Sequence, residues 1–249
     1  MDSPAIREMA LLEDGNWWYR ARRELLAGIL CGLGRKFAVA LDVGCGTGAN
    51  AAVLRLFAGR VLGVDRSADS LAFCERRGYD ECLEGLAENL PTGDGSVELA
   101  LCADVLEHVG DDVAVLREIR RALAPEGLLL LTVPAHRSLW NKNDDYCGHK
   151  RRYSKRELAQ SLRTAGFRPV FLRWWNFSLI LPFWIFARWE RRRGPKAVSR
   201  NNLSAIPRWL DRFLLTLMRL ENVFSRWLPL PGGASLVALA APGEIDASQ

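Results

Sequence analysis

Between Asp42 and Gly48 the chain reads Asp-Val-Gly-Cys-Gly-Thr-Gly, directly after the apolar run Phe37-Ala38-Val39-Ala40-Leu41. A strand that breaks into alternating glycines is entering a tight turn, and without Cβ atoms its backbone can close on a ligand. A second apolar run ends in Asp65, 21 residues after Gly44. A carboxylate at that offset can accept both hydroxyls of a ribose. Together these residues predict a nucleoside-containing cofactor lying across the first two strands of an α/β sheet. The spacing is Gly-x-Gly-x-Gly, whereas dinucleotide sites use Gly-x-Gly-x-x-Gly. Asp42 also stands where it would repel a pyrophosphate and attract a cation. Both points argue against an NAD-dependent oxidoreductase.

A second group of residues has the chemistry of proton transfer and anion binding. His108 could serve as a general base, since free imidazole changes charge near neutral pH, and His149 and Asp144, which share a loop, could carry a proton. Arg151 and Arg152 suit a phosphate or carboxylate. Trp18, Trp140, Tyr153, Trp175 and Asn176 are further candidates for contact with a substrate. Each also fits a structural role: His108 can pack beside a helix, and residues 136–154 can form a hydrogen-bonded network against the sheet. No metal site is expected, because the three histidines and six cysteines show no ligand spacing.

The elements that must position these groups follow from periodicity. Val97–Cys102 reads as a fourth strand, and Val113, Leu116, Ile119 and Leu123 share one face of the next helix. Ala124-Pro125-Glu126-Gly127 reads as a helix stop, with strand five at Leu128–Val133. About 18 aperiodic residues follow, a length that is usually functional when rich in aromatic and charged side chains. Ser154 and Glu157 form a capping box for a helix that ends at Gly166. Strands six and seven are expected at Arg168–Arg173 and Ala234–Ala240. A helix begins after Gly15, and its Trp17-Trp18-Tyr19 run cannot face one core, since neighbours on a helix are about 100° apart.

Between strands six and seven lies an aromatic, arginine-rich insert. Ile206, Leu210, Phe213, Leu214, Leu217, Leu220 and Phe224 recur at helical spacing with Arg208, Arg212 and Arg219 among them. Such an insert suits a lid over an apolar acceptor, a homodimer face or a peripheral membrane contact. With 249 residues, 49% hydrophobic, the chain is long enough for one domain with a cap. The start of the sequence lacks signal-peptide features, and no run of about 18 apolar residues is present. The net charge of +5 is compatible with anionic lipid or a phosphorylated substrate. Unpaired cysteines suit a cytoplasmic setting.

Asp42–Gly48 and Asp65 resemble the first motif and the ribose-binding acid of class I S-adenosylmethionine-dependent methyltransferases, and the likeness is specific over about residues 36–134. Ala103–Val109 resembles the family's segment after strand four, which in the ubiquinone-pathway methyltransferases lies near the acceptor. The resemblance implies a Rossmann-like, doubly wound α/β sheet of seven strands in the order 3-2-1-4-5-7-6, the last antiparallel. It implies S-adenosylmethionine as cofactor and S-adenosylhomocysteine as product. Asp42, Gly44, Cys45, Gly46 and Gly48 would hold the methionine part, Asp65 and Arg66 the ribose, and Leu86, Ala87 and Cys102 the adenine. Tyr19 and Arg23 would reach the cofactor from the N-terminal helix. His108, His149 and Asp144 would be catalytic. The expected division is an N-terminal cap at 1–35, a core at 36–173, the insert at 174–232, and the last strand with a tail at 233–249. The implied activity is methylation of a small molecule, apolar or bearing phosphate or carboxylate, such as a lipid, quinone, glycan-lipid or natural product. A non-catalytic cofactor-binding scaffold is the alternative. Nucleic acid is not an expected partner, because no Asn-Pro-Pro-Tyr type tetrad follows strand four.

Overall fold

Runs of Val, Leu and Ala without alternation make strands that are buried on both faces, and such strands assemble into parallel sheets covered by helices. The computed structural model describes residues 3–192 and 206–243. In chain order the elements are α1 (Ser3–Glu13), α2 (Trp17–Gly32), β1 (Phe37–Val43), α3 (Ala51–Leu54), β2 (Ala58–Asp65), α4 (Ala68–Cys74) and β3 (Glu81–Glu84). Next come β4 (Val97–Ala103), α5 (Asp112–Ala122), β5 (Leu123–Pro134), α6 (Lys142–Cys147), α7 (Lys155–Thr164) and β6 (Phe167–Trp175). The chain closes with α8 (Ile180–Arg192), α9 (Arg208–Phe224) and β7 (Ser235–Pro242). One seven-stranded sheet has the order β3-β2-β1-β4-β5-β7-β6. Its pairs are parallel except for β7, which runs antiparallel to β5 and β6. The expected order, with the last strand antiparallel, is therefore present.

Helices cover both faces. α5 and α7 bury Leu116, Ile119, Leu158 and Leu162 against one side of the sheet. On the other side Leu25, Leu26 and Leu30 of α2 share a core with Leu215 and Met218 of α9 and with Trp175. Trp175 is 1% exposed, lies 5.2 Å from the Trp18 ring and donates from Nε1 to Asn222 of α9 at 2.9 Å. α9 is also joined to α2 by the Trp17 amide, which donates to Asp211 at 2.8 Å, and by an Arg219–Glu24 ion pair. No helix among the described residues is long and apolar enough to cross a membrane.

Three segments differ from the sequence expectation. Residues 124–127 extend β5 where a helix stop was expected, because Leu123 already pairs with Val97 beyond a register shift. The N-terminal segment holds two helices, broken at Asp14-Gly15. The aperiodic stretch after β5 contains α6, capped reciprocally by Asn141 and Asp144. An Asn-x-x-Asp pair does the work of the Ser/Thr-x-x-Glu box and is harder to recognise. The tail beyond Gly243 and the middle of the insert, 193–205, lie outside the described residues.

Candidate active site

The carboxyl ends of β1, β2, β4 and β5 meet where the sheet order reverses, the usual place for a ligand in an open α/β sheet. At β1 the chain turns through Gly44 (φ +67°), Gly46 (φ +55°) and Gly48 (φ +95°), a backbone that L side chains rarely adopt. A Cβ on Gly44 would stand 2.6 Å from Val105 Cγ2, so the glycine is needed for space as well as conformation. Asp65 ends β2 and ties the turn down: its carboxylate accepts from the Gly46 and Ser67 amides, both at 2.9 Å. Each oxygen keeps a lone pair for another donor. Beyond Asp65 an open groove is lined by Arg66, Glu84, Gly85 and Leu86.

Asp42 is fully buried. Its Oδ2 accepts from Tyr79 Oη at 2.6 Å and Asn50 Nδ2 at 3.2 Å, while Oδ1 has no partner. Burial pushes this carboxyl up to about 7, against the lowering effect of those two hydrogen bonds. Helix α1 lies over the turn. Glu13 accepts from the Thr47 hydroxyl and pairs with Arg77 at 3.1 Å, and Met9 Cε stands 3.1 Å from where a Gly46 Cβ would sit.

The β4 and β5 ends bring a second set of polar groups together. Asp104 follows β4 at φ +57°, a strained conformation for a non-glycine residue. It pairs with Arg22 of α2 and accepts from Thr132 Oγ1 at 3.0 Å. Glu107 is 1% exposed, and neither carboxylate oxygen has a hydrogen-bond partner. Burial, followed by the nearby Asp104 charge, pushes its pKa well up. The rings of His108 and His149 meet edge to face at 4.8 Å. His149 Nδ1 lies 2.7 Å from Asp144, whose carboxylate also takes a two-pronged contact from Arg152 at 2.8 and 2.9 Å. Burial, then neighbouring His149, brings His108 down to about 4.

A methyltransferase domain family matches residues 41–131. That match covers β1 to β5, the part of the sheet that carries the glycine turn and Asp65. Over this part of the sheet the chain is similar to class I S-adenosylmethionine-dependent methyltransferases. A probable S-adenosylmethionine-dependent methyltransferase of Mycolicibacterium smegmatis is 31% identical over 162 residues, covering 63% of this chain and 61% of that one. A malonyl-[acyl-carrier protein] O-methyltransferase of Yersinia pestis is 33% identical over 102 residues, covering 41% and 38%. Among solved structures, a SAM-dependent methyltransferase from Archaeoglobus fulgidus superposes with a TM-score of 0.55 at 18% identity, covering 88% of this chain and 94% of that one. The chain spans 31% and 61% of the length of the first curated relatives it matches.

The methyltransferase family's cofactor is S-adenosylmethionine, and the residues here fit it. The glycine turn offers bare backbone, Asp42 Oδ1 is a buried acceptor without a donor, and Asp65 retains lone pairs. Of the other residues expected around the cofactor, Arg66 and Leu86 line the groove, while Cys45 and Cys102 are buried, Cys45 Sγ 3.5 Å from Cys74 Sγ. From α2 it is Arg22 that reaches the β4 end. Arg23 instead donates to the Glu13 carbonyl at 2.7 Å. Tyr19 lies beneath the Arg22 guanidinium at 5.6 Å.

The expected acceptor residues divide. His108 and His149 come together, and Asp144 is fully buried as the support of His149. Arg151 is engaged by Asp112 and the Val109 and Gly110 carbonyls, Arg152 by Asp144 and the Ala135 carbonyl. Both arginines therefore help to build the loop, Arg152 largely buried within it and Arg151 still part exposed. Tyr153 is buried and donates to Asp112, and Trp140 donates to Asp145. Trp18 and Trp175 are packed in the α2–α9 core, and fully buried Asn176 donates to Ser235 in the turn before α8. Tyr153, Trp140 and Trp175 bond their polar atoms within the protein and Trp18 packs on Trp175, so these four build the framework, whereas Asn176 Oδ1 is buried without a partner. Arg22, Asp104 and Glu107 were missed. Asp104 had a sequence signal, an acid at the end of a strand as Asp65 is. Arg22 lies three residues after Tyr19 on the same helical face.

Proposed function

We propose that the protein transfers a methyl group from S-adenosylmethionine to an apolar small molecule that it meets at a lipid surface. The observation that carries the transfer reading is that the glycine turn after β1, Asp65 at the end of β2 and the His108–His149 pair after β4 all lie at the carboxyl ends of neighbouring strands. The cofactor supplies an electrophilic methyl group when bound. The chain's own part is to hold that group in line with the acceptor and exclude water. Asp42 and the glycine turn would seat the amino-acid end, and Asp65 the ribose. The Arg22–Asp104 pair would border the methyl end. The relatives' names include O- and N-methyltransferases, so likeness alone assigns no acceptor atom.

The lipid reading rests on α8 and α9. Trp209, Phe213, Leu220 and Phe224 recur at steps of four, seven and four along α9, and all are exposed. They lie opposite the face that buries Leu215, Met218 and Asn222. Trp227, 84% exposed, continues the stripe, and Arg208 and Arg212 flank it. On α8 Leu181, Trp184, Ile185 and Trp189 are exposed beside Arg188. Aromatic and aliphatic side chains bordered by arginine suit the interface of an anionic membrane.

Calorimetric titration of the chain with S-adenosylhomocysteine tests the transfer reading, with NADH as control. Micromolar affinity for the first alone, lost in Asp65→Ala, is expected. Binding of NADH in its place would overturn the reading, and binding without turnover on any acceptor would leave a scaffold.

A further inference from the structure

Two loops that are 41 residues apart in sequence converge on one point, Glu107-His108 after β4 and His149 before α7. Side-chain ligand atoms of Glu107, His108 and His149 all lie within 4.8 Å of one another. The backbone holds the loops together: the Lys150 amide donates to the Glu107 carbonyl at 2.7 Å, and Arg151 Nη2 donates to the carbonyls of Val109 and Gly110 at 3.1 and 2.6 Å. The cluster is therefore built into the fold.

We propose that Glu107, His108 and His149 bind a divalent transition-metal ion on the acceptor side of the site. Three features carry the assignment. The Glu107 carboxylate is buried with no donor on either oxygen, an arrangement that is costly unless a cation or a proton completes it. His149 has the outer contact of a metal ligand: Nδ1 rests on Asp144, which leaves the other ring nitrogen free of that bond and fixes its orientation. Asp144 is itself pinned by Arg152 and by the Asn141 amide at 2.8 Å, so the second layer is as ordered as the first.

Two imidazoles and one carboxylate favour zinc, iron, cobalt or nickel over magnesium or calcium, which prefer all-oxygen shells. Metal–ligand bonds of about 2.0–2.2 Å draw ligand atoms to roughly 3 Å apart, so the present spacing closes by small side-chain rotations. Three protein ligands leave coordination positions open. The inference deepens the methyl-transfer reading and rests on it for its consequence: the open positions face the acceptor, which must then present an oxygen donor, a hydroxyl or a carboxylate. An oxygen bound to such an ion loses its proton more readily.

The test uses the full chain stripped with a chelator and titrated with Co2+, followed by visible absorption and calorimetry. One equivalent should bind with micromolar or tighter affinity and give ligand-field bands of nitrogen and oxygen coordination. Glu107→Gln keeps the shape of the side chain and should weaken binding at least tenfold, as should His149→Ala. S-adenosylhomocysteine affinity, measured on the same preparations, should stay within about twofold. Absence of a stoichiometric cobalt site overturns the proposal. So do thiolate charge-transfer bands, which would place the ion among the cysteines, and so does undiminished binding in both variants. Failure of S-adenosylhomocysteine to bind, with the cobalt site intact, removes the methyl-transfer reading and leaves the metal site standing.

Discussion

Asp42 and Gly44 show how much one residue can decide. Asp42 is held near neutral in the folded chain by burial, so its proton is bound more tightly than in the unfolded state. The stability it contributes is present at acid pH and is lost as pH rises through about 7. Attraction for the ammonium of an amino-acid ligand runs the other way, because only the ionised form attracts it. S-adenosylhomocysteine affinity should therefore rise up to about tenfold between roughly pH 6 and 8, and Asp42→Asn should flatten that rise. A calorimetric pH series reads the difference. Gly44 allows no side chain: Gly44→Ala places a methyl against Val105 and in a left-handed conformation. A loss of about 2 kcal/mol in denaturant unfolding is expected, together with loss of cofactor binding. The glycines and Asp65 were readable in the sequence because they end two successive apolar runs at a fixed spacing. Glu107 was not, since its setting depends on His149, which arrives 42 residues later.

At the scale of elements the insert is better described by its anchors than by its composition. The turn after β6 is fastened to α9 by one side chain. Glu221 accepts from the Phe177 and Ser178 amides at 3.0 and 2.8 Å and from the Ser178 hydroxyl at 2.7 Å. Glu221→Ala leaves two amides without an acceptor and should lower stability by about 2–4 kcal/mol, measured as a fall in the urea midpoint at constant slope. α8 is fastened at its other end, where Glu190 accepts from the Lys142 amide at 2.9 Å and Arg191 reaches the Ser138 carbonyl. Strand order and the helix after Ser154 were legible, because apolar runs and capping boxes are local signals. The Trp-rich stretch was misleading for the opposite reason. Whether Trp175 meets a ligand or a core depends on α9, which lies 33 or more residues away.

The whole molecule has a covered face and an uncovered one. α9 is apolar on both sides, one packed on α2 and the other open to solvent. Vesicles containing anionic lipid should therefore sediment the protein, and neutral vesicles should do so more weakly. Phe213→Ser with Phe224→Ser should reduce the effect at least fivefold without lowering the melting temperature by more than about 2 °C, since both residues are exposed. A stable dimer in sedimentation velocity, abolished by the same pair, would assign the face to a second copy instead. At the opposite end of the chain α1 is fastened over the glycine turn through Glu13, Thr47 and Arg77, and is joined to α2 by Asp14-Gly15-Asn16 and by the Arg23 bond to the Glu13 carbonyl. A ligand that runs along Gly46 has to displace Met9 first. Apparent affinity is then the intrinsic affinity scaled by the fraction of molecules in which the helix has swung away. Removing α1 should therefore tighten the apparent affinity, and the gain read by calorimetry gives the fraction of molecules in which the helix is open.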